Sequence, residues 1–107
     1  LPELPDFVRQ VVERARIRQA ALAIALVYIN RLKPCLPQGS RGDFDAPYRI
    51  LVAAILTASK FLIDTGLRNE TMSRATRGAF TARDVSRAER TFLRLIGYRL
   101  WVEPEEL

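Results

Sequence analysis

Apolar residues recur along this chain at spacings of three and four, and no stretch alternates long enough to specify a strand. The pattern predicts five helices. The first spans Pro5 to Arg16, with Phe7, Val8, Val11 and Val12 at helical spacing and Pro5 where a helix start tolerates proline. The second spans Arg18 to Lys33. Leu22, Ala25, Leu26, Ile29 and Leu32 form one stripe there, and Ile24, Val27 and Tyr28 widen it, so a central place in a bundle is expected. Pro34 and Pro37 end it, and "LPQGSRGDF" reads as a polar loop. Asp45 is the expected N-cap of a third helix that runs to about Asp64, with Pro47 in its first turn and Thr65-Gly66 as its stop. A short fourth helix is expected from about Asn69 to Arg77, closed by Gly78. Thr81, followed three residues on by Asp84, opens the fifth as a capping box; this helix runs to Ile96 and stops at Gly97. The fold class expected is all-α, a five-helix bundle round a long apolar third helix.

Two charges interrupt these apolar rows. Val52, Leu56, Lys60 and Ile63 are related by steps of four and three, so they share one face of the third helix. Val85, Glu89, Phe92 and Ile96 make the same kind of row on the fifth. Each row thus contains one charge, and the signs are opposite. The residues alone leave two readings open. Lys60 snorkels from the border of the core while Glu89 sits at a stripe edge, or the two form an ion pair between helices. Such a pair adds little net stability. It does fix donors and acceptors at an otherwise apolar surface, where a partner's unpaired backbone groups can be met.

The remaining signals are plainer. Arg83, Arg87, Arg90 and Arg94 follow one another at helical steps and are expected to form a solvated face, with phosphate contact as the alternative use. The cluster Arg68, Arg74 and Arg77 has the same status. Tyr98 and Trp101 are expected to pack on the bundle.

Composition narrows the chemistry. A length of 107 residues suits one compact domain, and 49% apolar residues suffice for a core. One cysteine, Cys35, allows no internal disulfide and reads as a small buried hydrophobe; that usage suits a reducing compartment, the nucleus and/or the cytoplasm. No signal-peptide pattern is visible, and the longest apolar run, broken by Lys60, is shorter than the roughly 20 residues a membrane span needs, so no membrane is expected. The chain starts at Leu1 without a Met and stops on "EPEEL", as expected of a single domain (1–107) cut from a longer chain. Histidine is absent, which removes the commonest general base and metal ligand. No Gly-rich phosphate loop occurs, and closely spaced acids are confined to Asp43/Asp45 and Glu103/Glu105/Glu106. The chain is therefore not expected to be an enzyme, and neither a cofactor nor a metal is expected. The net charge of +5 comes mostly from arginine, which permits nucleic-acid binding without demanding it and equally suits protein interfaces.

Several stretches together resemble the cyclin box. They are "LPDFVRQVVERA", "ALVYINRLK", "YRILVAAILTASKFLID", Asn69 and "FTARDVSRAERTFLRLIGYRL", in cyclin order and spacing from about Leu4 to the end of the chain. The pattern is most similar to the fungal Pcl-type cyclins of the PHO family. The resemblance implies a non-catalytic subunit that binds and activates a cyclin-dependent kinase of the fungal PHO type. Cyclin boxes carry a Lys on the third helix and a Glu on the fifth that hold the kinase loop before its PSTAIRE-type helix. The matching positions are Lys60 and Glu89. By the same analogy Phe61, Leu62, Phe92 and Leu93 are candidates to pack on that kinase helix, and kinase substrates are possible further partners.

The chain departs from the family pattern at several points. Asn30 stands for an Asp that in cyclins pairs with an Arg of the first helix, which leaves Arg9 or Arg14 to find another partner. Tyr48 replaces a His, Ile63 an Asn, Met72 a Trp and Ser86 an Asn. Two alternatives to a kinase activator are a nucleic-acid-binding domain of cyclin-like fold and a cyclin-fold scaffold that activates nothing.

Overall fold

The computed structural model describes residues 1–36, 46–62 and 67–107. Five α-helices lie among them: α1 (Leu4–Ala15), α2 (Gln19–Leu32), α3 (Ala46–Phe61), α4 (Asn69–Ala75) and α5 (Ala82–Leu95). Short 3-10 turns follow α2 at Lys33–Cys35 and close the chain at Pro104–Glu106. No strand occurs among the described residues. The all-α expectation holds, and most helix ends fall within a residue or two of those predicted. The loop from Pro37, the Asp45 cap, Ile63 and the Asp64–Gly66 stop lie outside the described residues.

Local chemistry sets the helix ends. At the start of α5 the Asp84 N–H donates to Thr81 Oγ1 at 3.1 Å and the Thr81 N–H donates to Asp84 Oδ2 at 3.0 Å, the predicted capping box. These bonds, the backbone one first, hold the Asp84 carboxyl below its ordinary pKa. After α5 the backbone enters the left-handed region twice in succession, at Gly97 (φ 65°) and Tyr98 (φ 57°). Glycine makes the first of these cheap. The chain thereby doubles back over α2.

The eight residues from Val52 to Ser59 are all buried, more than two full turns of α3. A helix buried on every side needs neighbours on every side. Here α2 and α5 pack along it, α1 and α4 also touch it, and α4 in turn bridges α1 and α5. Ala53, Ala54, Ala58 and Ser59 keep this helix slim enough for such close approach. Phe7 pins α1 to the start of α3 and to the turn before α5, through edge-on contacts with Tyr48 (5.0 Å, 86°) and Phe80 (6.3 Å, 90°).

Two expectations are corrected. The buried face of α2 is Ala21, Ile24, Ala25, Tyr28 and Leu32, whereas Leu26 is 57% exposed. This helix is apolar almost all round, so spacing did not determine which face turns inward. Tyr98 and Trp101 do not pack into the bundle: they are 65% and 69% exposed. The doubled-back tail is held by its backbone instead. Tyr28 donates its hydroxyl to Leu100 O at 2.7 Å, and Arg31 donates to Arg99 O at 2.6 Å, Trp101 O at 2.7 Å and the Glu106 carboxylate at 3.0 Å. The Trp101 ring is left largely outside, set edge-to-face with Phe61 (6.5 Å, 77°) and donating Nε1–H to Glu103.

Candidate functional site

The apolar row of α3 leaves the core at its last turn. Val52 and Leu56 are sealed inside, and one turn later Lys60 reaches the edge, its side chain 41% exposed. On α5 the row Val85, Phe92, Ile96 is buried, and Glu89 within it is 13% exposed. The Lys60 ammonium meets the Glu89 carboxylate at 3.0 Å from Oε2 and 3.1 Å from Oε1. Of the two readings that the residues left open, the ion pair is the one observed. Helical geometry explains it: the rows that pack α3 against α5 necessarily bring their two charges to the same rim.

A third helix completes the cluster. Asn69 opens α4, and its Oδ1 accepts a second Lys60 N–H at 2.9 Å. Its Nδ2 donates to Ser86 Oγ on α5, one turn before Glu89. The amide thus uses both ends, so its orientation is fixed. Lys60 is held by two acceptors from two different helices, while part of its head stays open to solvent. The cluster presents an ammonium and a carboxylate in fixed positions, which is what backbone carbonyls and N–H groups of a partner need.

The neighbouring candidates divide. Phe61, Leu62 and Leu93 are half-buried and keep accessible surface, Phe61 against Trp101 and Leu62 toward the turn between α1 and α2. Phe92 does not: at 3% exposure its ring belongs to the core, where it supports α5 from beneath rather than offering a contact. Sequence reasoning assigned no role to the hydrogen bonds of Asn69 and Ser86. Both are polar residues near helix starts, where caps are common, and nothing in their spacing says that one side chain reaches the other.

Elsewhere, the arginine row Arg83, Arg87, Arg90 and Arg94 is exposed, as are Arg68, Arg74 and Arg77. With Asn30 in place of an acid, Arg9 pairs instead with Asp6 of its own helix at 3.0 Å, and Arg14 donates to Ala75 O at 3.2 Å. Met72, fully buried, fills its place in α4. Among the described residues no group of three or more His, Cys, Asp or Glu is placed to hold a metal, and no helix is long and apolar enough to cross a membrane.

The family model for the cyclin N-terminal domain matches residues 2–101, which include the whole α3–α4–α5 cluster. The chain belongs to the cyclin family. Among curated proteins it is similar to PHO85 cyclin-1 of Saccharomyces cerevisiae, 33% identical over all of this chain and 38% of the relative. PHO85 cyclin-9 of the same yeast is 26% identical over 99% of this chain and 35% of the relative. Cyclin-U2-2 of Arabidopsis thaliana is 28% identical over 94% of this chain and 44% of the relative. This cyclin box thus spans less than half the length of each of these relatives. No solved structure gave a significant match. The resemblance read from the residues, to the cyclin box and to PHO-type cyclins, is borne out.

Proposed function

We propose that this cyclin box belongs to a regulatory subunit that binds and activates a cyclin-dependent kinase of the fungal PHO type. The observation that carries the proposal is the Lys60–Glu89 pair, anchored by Asn69 and open at the rim between α3 and α5. It stands at the two positions through which cyclin boxes are expected to hold a kinase loop. The names of the yeast relatives, each a PHO85 cyclin, support the choice of kinase class. In this reading Lys60 donates to carbonyls of the kinase loop and Glu89 accepts from its N–H groups. Phe61, Leu62 and Leu93 supply apolar contact around them, and Phe92 backs the helix that carries Glu89. The box contributes no catalytic group; ATP and phosphoryl transfer belong to the kinase. Activation follows from differential affinity, since a subunit that binds the active arrangement more tightly raises its population in proportion.

The experiment is co-purification with a fungal PHO-type kinase together with an assay of its activity, comparing wild type with Lys60→Ala and Glu89→Ala. Both variants should lose kinase binding and activation while remaining folded. Unchanged binding in both removes the site assignment. Failure of the wild type to associate with the kinase removes the function.

A further inference from the structure

Helix α5 has two flanks. Ser86, Glu89 and Leu93 lie on one, toward the Lys60 cluster. Ala88, Thr91 and Leu95 lie on the other, and the centres of the two flanks are nearly half a turn apart round the helix. That second flank forms one wall of a groove of about 340 Å³, and the first half of α3 forms the other. Its floor is aliphatic, made by the half-buried Ile50 and Ala88, with Ala53 and Phe92 buried behind them. Leu95 projects at its edge and is 37% exposed, so the apolar surface continues out to solvent.

The lip of the groove is cationic. Arg87 lines it, and Arg83, Arg90 and Arg94 continue the same exposed ridge along α5. Among the described residues the one carboxylate at the groove, Asp84, accepts the Thr81 N–H and is outnumbered there by Arg87 and Arg49. An apolar floor beside an arginine ridge selects a chain segment with apolar anchors on one side and carboxylates on the other. Nucleic acid would use the ridge but would gain nothing from the aliphatic floor.

We propose that the groove between α3 and α5 docks a short acidic segment of a partner protein, with Leu-like or Phe-like anchors on the floor and Asp or Glu against Arg87 and its neighbours. Because this flank faces away from Glu89, the docked segment and a partner at the Lys60 cluster can be held together. The inference stands whether or not the partner at Lys60 is a kinase.

The test uses the intact protein and a fluorescein-labelled helical peptide with Leu on one face and Glu on the other, read by fluorescence anisotropy. Two control peptides replace every Glu by Lys or every Leu by Ser. The acidic amphipathic peptide should bind, and each control should bind at least about tenfold more weakly. Arg87→Glu, which reverses the lip, and Thr91→Trp, which fills the groove from an exposed position, should each cost at least about tenfold at unchanged thermal stability. Arg68→Glu, the same charge change away from the groove, should leave binding as it is. Equal binding of the Lys peptide, retained binding of the Ser peptide, or indifference to both groove variants overturns the proposal. So does displacement of the peptide by duplex DNA that depends on Arg87. So does an intact protein that does not bind, because its groove is then already filled by its own chain or by a second copy.

Discussion

Lys60 and Glu89 face each other at 3.0 Å, yet they are buried unequally: 41% of the lysine side chain is exposed and 13% of the glutamate. The two single mutants should therefore differ. In Lys60→Ala a mostly buried carboxylate loses its counter-charge, whereas in Glu89→Ala the ammonium turns to water. Loss of the lysine should cost about 1–2 kcal/mol and loss of the glutamate under about 1 kcal/mol. Urea midpoints of the two variants and their double mutant measure both costs and the coupling between them. Equal costs would mean that the carboxylate is better hydrated than its burial implies.

Asn69 should act through Lys60. Asn69→Ala removes the second acceptor of the ammonium and the partner of Ser86, while Asn69→Asp keeps an acceptor but adds a charge beside Glu89. In Asn69→Ala the Lys60 head should lose its fixed position, and in Asn69→Asp it should be drawn toward the new carboxylate and away from Glu89. Side-chain ammonium resonances of Lys60 should broaden or shift in NMR spectra, and kinase binding should weaken several-fold even though Lys60 and Glu89 are intact.

Arg31 closes the end of the bundle, with two backbone carbonyls and one carboxylate on a single guanidinium. Lysine cannot copy that fork. Arg31→Lys and Arg31→Ala should both loosen the tail, at a cost of about 1–2 kcal/mol. Trypsin should then cut at Arg99 faster than in wild type. Trp101 is the only tryptophan, so its emission reports on the tail alone and should change in both variants.

The Tyr28 hydroxyl is pushed up to about 12, by burial against the smaller opposing pull of Arg31. Its folded value lies above the ordinary 10.0, so its contribution is fully present below pH 10 and is lost as pH rises through the folded value. Thermal stability should fall between about pH 10 and 12 by this route. Tyr28→Phe should remove that part of the alkaline loss. At neutral pH it should cost about 1 kcal/mol, because Leu100 O is left without its donor.

The cap of α5 makes an opposite prediction at acid pH. Asp84 is held below its ordinary value, so the stability it lends is present above that value and lost as pH falls through the folded one. Thr81→Ala should cost about 1 kcal/mol near neutrality and flatten the acid limb of a plot of melting temperature against pH.

The elements themselves were readable because α1 and α5 have strong periods, α3 is a long apolar run, and α5 has a clear start and stop. Asp84 three residues after Thr81 located a helix start before any coordinates. Lys60 and Glu89 stood out because each breaks an otherwise apolar row. What spacing could not convey was orientation. Helix α2, apolar nearly all round, offers several equivalent faces, and the wrong one looks as good as the right one until α3 is placed. Trp101 looked like core because an indole usually is. Three hydrogen bonds from Arg31 and Tyr28 hold the carbonyls of Arg99, Leu100 and Trp101, and they satisfy the tail without burying the ring. Asn69 and Ser86 are far apart in sequence, and only the packing of α4 on α5 brings them within reach.

Helix α3 is sealed from Val52 to Ser59 and breaks the surface again at its last turn, at Lys60. A partner that grips Lys60 therefore holds the end of the beam on which every other helix rests. It reads folding as well as identity, because a chain with a loosened core cannot present that ammonium where Asn69 and Glu89 hold it. Association and structural integrity become one equilibrium, and damage deep in the bundle is felt at the rim as lost affinity.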